Sequence, residues 1–87
     1  MFVIITYDVE EKRINRVRKK LKMYLTWTQN SVFEGEMSQG QLRELKIELS
    51  RLIRDDKDSL IIFKNRQSKW LEKECFGLKD DDDFNFL

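Results

Sequence analysis

Two short stretches, residues 2–7 and 60–63, are almost continuously apolar and rich in branched and aromatic side chains. That is the pattern of strands covered on both faces, and both are predicted as central strands. Residues 28–37 alternate less strictly, with Val32 and Phe33 on opposite faces, and residues 70–76 mix charge with Leu71, Cys75 and Phe76; both read as edge strands. After the first strand, Ile14, Val17, Leu21, Tyr24 and Leu25 step by 3, 4, 3 and 1, which at about 100° per residue is one helical stripe. Leu42, Leu45, Leu49, Leu52 and Ile53 repeat those steps. Ser38 with Gln41 predicts a capping-box start for the second helix, and Asp8 with Glu11 a weaker Asp version for the first.

The order is read as βαββαβ. Two βαβ halves with matched helical stripes predict an α+β, ferredoxin-like sheet, with both helices on one face and the first and third strands at its centre. Apolar residues on both faces of the central strands would leave the second face exposed in a monomer, so a sheet-to-sheet homodimer is expected. Residues 1–78 are taken as the ferredoxin-like domain. Residues 79–87 are taken as an acidic spacer, Asp80 to Asp83, and an apolar tail, Phe84 to Leu87, expected as a short fifth strand that could dock on the partner protomer.

Length adds to the case for a dimer, because a chain of 87 residues buries only about 60 to 65% of its unfolded surface. The net charge of +1 names no partner. Its distribution is more telling: residues 1–54 carry 11 basic and 7 acidic side chains, and residues 55–87 carry 6 basic and 9 acidic. The absence of His removes imidazole bases, His-based triads and His-liganded zinc, and the single Cys75 removes an intramolecular disulfide. The chemistry left belongs to carboxylates, Tyr, Ser, Lys, Arg and hard cations held by Asp or Glu. No signal peptide or membrane span is expected, and a reducing cytoplasm fits the cysteine usage.

The candidate site is Tyr7-Asp8, where the first strand gives way to a helix. Asp8 has two readings: a helix cap, or a hard-cation ligand that a two-fold dimer would pair with its symmetry mate. Magnesium on two such carboxylates, with water and a phosphate oxygen, would make an open site for phosphodiester cleavage. The basic run from Lys12 to Lys22 also has two readings, a solvated helix face or a phosphate-binding surface on Arg13, Arg16, Lys19 and Lys20. Like charges at i, i+4 spacing, such as Lys12 and Arg16, favour an anionic partner. Trp27, Phe33, Phe63 and Phe76 are expected in the core or a dimer interface, Cys75 as a small buried hydrophobe, and Asp80 to Asp83 as a solvated run.

Several segments together resemble a known family. Tyr7-Asp8-Val9 closes an apolar strand; Arg13 and Arg16 precede Val17; then come the run from Trp27 to Glu36, whose most specific part is Gln29-Asn30-Ser31-Val32-Phe33-Glu34-Gly35-Glu36, and Asp58-Ser59-Leu60-Ile61-Ile62-Phe63. Nearly chain-long, this resembles the CRISPR-associated protein two family, the small subunit of the spacer-acquisition complex. The resemblance implies a homodimer that bridges the integrase subunit and holds short duplex DNA. It also implies a magnesium-dependent endonuclease, with manganese as an alternative, acting on single-stranded RNA or duplex DNA. Carried over by position, Tyr7 and Asp8 would line the metal site, Arg13 and Arg16 would contact phosphate, and Phe33 would pack near the dimer axis. A catalytically silent architectural subunit and a toxin-like ribonuclease of the same fold are the alternatives. The tail departs from the family pattern, with four Asp after Lys79.

Overall fold

The computed structural model describes residues 1–65 and 72–77. Seven elements follow in order: β1 (Phe2–Asp8), α1 (Glu11–Lys22), β2 (Thr26–Gln29), β3 (Val32–Glu36), α2 (Gln39–Leu52), β4 (Ser59–Asn65) and β5 (Glu72–Gly77). The strands form one antiparallel sheet in the order β2-β3-β1-β4-β5, a ferredoxin-like arrangement extended by an edge strand. As predicted, β1 is central and β4 is internal.

One difference concerns residues 28–37. They do not form one strand but belong to a hairpin whose chain reverses at Asn30, the residue with φ of 46°. Asn tolerates that left-handed conformation better than most residues, so the sequence carries the break as a turn signal inside an alternating run. Splitting this run supplies both middle strands of βαββαβ, and β5 is then an addition to the motif. The tail strand expected at 84–87, the acidic spacer and Trp70 lie outside the described residues.

The helical stripes bury as their spacing requires. Val17 and Leu21 of α1, with Leu25 just beyond it, and Leu42, Leu45 and Leu49 of α2 pack on Val3, Ile5, Tyr7, Phe33, Leu60 and Ile62 of the sheet. Ser38 caps α2 as predicted: its Oγ accepts from the Gln41 N–H at 3.1 Å, and the Gln41 side chain accepts from the Ser38 N–H at 3.0 Å. No membrane-spanning helix occurs among the described residues.

Residues that alternate with the core positions stand on the opposite face of the sheet. Register places Val32, Thr6, Ile61 and Cys75 in one row there, and Glu34, Ile4, Phe63 and Lys73 in the next. The centre of this second face is therefore apolar. Phe33, expected at a dimer interface, is instead fully buried among the chain's own core residues, its ring centroid 6.2 Å from that of Tyr7. Trp27 departs in the other direction, at 47% exposure on edge strand β2.

Candidate functional site

β1 ends on Asp8, and the alternation of its side chains decides what Asp8 can do. Tyr7 is directed into the helix-covered core, whereas Asp8 is exposed and shares the second-face row with Ser59 and Gly77. The two residues expected to line one site are thus sent to opposite sides of the sheet. The helix-cap reading of Asp8 also falls away: α1 begins after Glu10, which makes no side-chain cap, and the expected pairing of Asp8 with Glu11 does not form a capping box.

The carboxylate at the start of α1 comes from elsewhere in the chain. Asp58 is fully buried; its Oδ1 accepts from the Glu10 N–H and from Arg13 Nη2, both at 2.9 Å, and its Oδ2 accepts from Arg13 Nε at 2.5 Å and the Arg54 N–H at 2.9 Å. Glu10 Oε1 takes a further bond from Arg13 Nη2 at 2.9 Å. The Arg13 hydrogen bonds hold the Asp58 carboxyl at about 2, outweighing the desolvation that would raise it. The same bonds raise the Arg13 guanidinium above its usual range.

This pair removes Arg13 from the expected phosphate contacts, since its charge is already matched and only 8% of the residue is exposed. The signal is present in the spacing: Arg13 lies four residues before Val17 and eight before Leu21, on the apolar stripe itself. Asp58, which sequence reasoning does not single out, immediately precedes the apolar run of β4. A charged residue on a buried stripe implies an opposite charge somewhere in the fold, but sequence does not say where.

The remaining cations of α1 divide again. Lys20 Nζ bonds Glu48 Oε1 of α2 at 2.5 Å, and Tyr24 OH donates within the same cluster, 2.8 Å from Glu48 Oε2 and 3.1 Å from Glu44 Oε1. Arg16 and Lys19 are exposed and are left as the available part of the predicted phosphate surface.

Among the described residues, no three His, Cys, Asp or Glu side chains gather where they could hold a metal. Asp8 offers one carboxylate. Magnesium is usually held by one or two carboxylates together with water and substrate phosphate, so a single chain does not build a complete protein cage for it.

An antiparallel ferredoxin-like sheet, an exposed carboxylate ending its central strand and a cationic first helix define a class of small α+β proteins. Residues 1–73 match the family described as CRISPR associated protein Cas2. The chain belongs to this family. A CRISPR-associated endoribonuclease Cas2 from Fusobacterium nucleatum subsp. nucleatum is 49% identical over 92 aligned positions, covering 100% of this chain and 87% of that protein. A crystal structure of Cas2 superposes with a TM-score of 0.68 at 46% identity, over 94% of this chain and 80% of the other. Streptococcus pyogenes Cas2 gives 0.69 at 30% identity, over 80% and 90%.

Proposed function

We propose that the chain is a metal-dependent endonuclease and nucleic-acid-binding subunit of CRISPR spacer acquisition, working as a sheet-to-sheet homodimer. The observation that carries this reading is the position of Asp8, exposed at the end of the central strand on the same face as the half-buried apolar side chains Ile4 and Phe63. Pairing two such faces about a two-fold axis covers the apolar centre and supplies the second carboxylate that one chain lacks. Relatives named CRISPR-associated endoribonucleases support phosphodiester cleavage as the activity.

Magnesium or manganese held by the Asp8 pair would polarise the phosphodiester and make bound water a nucleophile near neutral pH. The chain's own part is to hold the Asp8 carboxylates at a rigid strand end and to bind phosphate through Arg16 and Lys19. Tyr7 acts from beneath, by fixing the end of β1 in the core against Phe33.

The second reading, an architectural subunit that holds duplex DNA for the integrase, is favoured by the same exposed cations and by the single carboxylate per chain. Wild type and Asp8→Asn, assayed side by side for cleavage of RNA and DNA and for assembly with the integrase subunit, separate the two. Loss of cleavage with retained assembly and retained dimer supports the nuclease. Cleavage by Asp8→Asn equal to wild type removes Asp8 from the chemistry, and assembly without cleavage by wild type selects the architectural role.

A further inference from the structure

Edge strand β2 carries an indole that the core does not enclose. Trp27 is paired in register with Phe33, which puts it on the helix-covered side of the sheet, but at the outer edge, where 47% of it stays exposed. Its Nε1–H donates to the Asn30 carbonyl oxygen at 2.9 Å, across the turn that Asn30 makes with its left-handed backbone. The polar atom of the ring is thus satisfied within the chain, and the ring is held in a fixed orientation with apolar surface in solvent. The four residues of β2, Thr26-Trp27-Thr28-Gln29, are all exposed and none is charged. Charge beside the ring is of one sign. α1 packs along β2. Lys20 meets α2 through Glu48, and Arg18 and Lys22, each two residues from Lys20, stand about 160° from it around the helix axis, on the flank nearer β2. Lys22 is exposed and Arg18 half-buried. No acidic residue occurs from Lys12 to Phe33, so β2 and α1 beyond its first residue carry no carboxylate.

An aromatic face beside cations, with no acid between them, matches the chemistry of single-stranded nucleic acid, whose bases stack on rings while its phosphates meet the charges. A duplex keeps its bases stacked on one another and offers none to the ring. We infer that Trp27 is a stacking platform for an unpaired nucleobase, with Lys22 and Arg18 taking phosphates of the same strand. The bond to Asn30 serves this role, because a ring already fixed loses little freedom when a base settles on it. Arg16 and Lys19 bind phosphate whether or not the strand is paired, and Trp27 adds a preference for the unpaired state. RNA and DNA single strands share this chemistry.

This inference rests on the nucleic-acid reading above. Its test uses a short single-stranded RNA, the DNA of the same sequence, an abasic strand of equal length and a blunt duplex, all in EDTA so that no strand is cut. Binding is read from the anisotropy of a label on the strand, for wild type, Trp27→Ala and Trp27→Phe. Wild type should bind the base-bearing single strands about tenfold more tightly than the abasic strand, the size of one stacked base. Trp27→Ala should lose that margin and Trp27→Phe keep most of it, with duplex affinity unchanged in both. Trp27 and Trp70 are the two tryptophans of the chain, so in a Trp70→Phe background the single strands should quench the emission of Trp27 and the duplex should not. Equal wild-type affinity for abasic and base-bearing strands, or a margin that survives Trp27→Ala, overturns the platform and leaves the nucleic-acid reading standing. A loss in Trp27→Ala that extends equally to the duplex, or a change in the sedimentation of the free protein, makes the ring a structural or protein contact and overturns it as well. Failure of wild type to bind any of the four probes overturns both readings.

Discussion

Asp58 and Arg13 lie 45 positions apart in the chain and form one buried, bidentate ion pair, with the carboxylate also receiving the backbone N–H groups of Glu10 and Arg54. This joins the start of α1 to the turn that leads into β4. The carboxyl titrates at about 2 in the fold, against an ordinary value of 3.8. Because its folded value is depressed, the stability it contributes is fully present above about pH 4 and is lost as pH falls through about 2. The shift corresponds to about 2 kcal/mol. Asp58→Asn should therefore unfold more readily than wild type at pH 7, with the difference shrinking toward pH 2. Thermal melts across that range check it, and a gap that does not change with pH would contradict the assignment. Asp58→Ala, which leaves the guanidinium buried and unpaired, should cost about 3 to 5 kcal/mol.

The cations of α1 should separate in a salt titration. Arg16→Glu with Lys19→Glu should weaken binding to duplex DNA and make its salt dependence shallower, by about 0.9 in the log-log slope for each phosphate that is no longer neutralised. Arg13→Gln should instead lower the melting temperature and leave the slope of the folded protein as in wild type. A slope unchanged by the double charge reversal would make the helix face merely solvated.

Two phenylalanines should likewise give different outcomes. Phe63 is partly exposed on the second face, so Phe63→Glu should shift sedimentation from dimer to monomer while the single chain remains folded. Phe33 is wholly internal, and Phe33→Ala should cost about 3 to 5 kcal/mol of folding stability through the cavity it leaves. Unmodified protein that sediments as a stable monomer at micromolar concentration would refute the sheet-to-sheet dimer.

The Tyr24 hydroxyl is pushed up to about 12 by its hydrogen bond to Glu48, with burial and the bond to Glu44 adding to the rise. The contribution is present below its ordinary value of 10.0 and is lost as pH rises through about 12. In a Tyr7→Phe background, ultraviolet titration should show Tyr24 ionising late, and Glu48→Gln should bring the midpoint down. An unmoved midpoint would exclude Glu48 as the cause.

Helical spacing and the Ser38-Gln41 box are legible in the sequence because each depends on neighbours within a turn or two. The hairpin at Asn30 is obscured by alternation, which continues across the turn, and only the turn residue itself marks the break. Arg13 reads as a surface residue when charge is weighed above spacing; its place with Val17 and Leu21 on the stripe is the better guide. Asp58 cannot be paired with Arg13 from sequence, since the contact depends on how the end of α2 returns to the start of α1. Asp8 is legible as a strand-end carboxylate; the start of α1 after Glu10 takes it off the N-cap position, and the strand's alternation separates it from Tyr7.

At Gly77 the backbone has φ of 84°, and a Cβ built there would lie 2.1 Å from the Asp58 carbonyl oxygen. Edge strand β5 therefore lies directly on the turn that carries the buried ion pair, with no room for even a methyl group. Gly40, in the first turn of α2, meets nothing nearer than Ser38 Oγ at 3.9 Å. Mutational tolerance in this small chain is accordingly uneven. Alanine at position 40 should be accepted and should stabilise the helix by about 0.5 to 1 kcal/mol, whereas any side chain at position 77 must first move β5, so that a library selected for folding would keep glycine at 77 and diversify at 40.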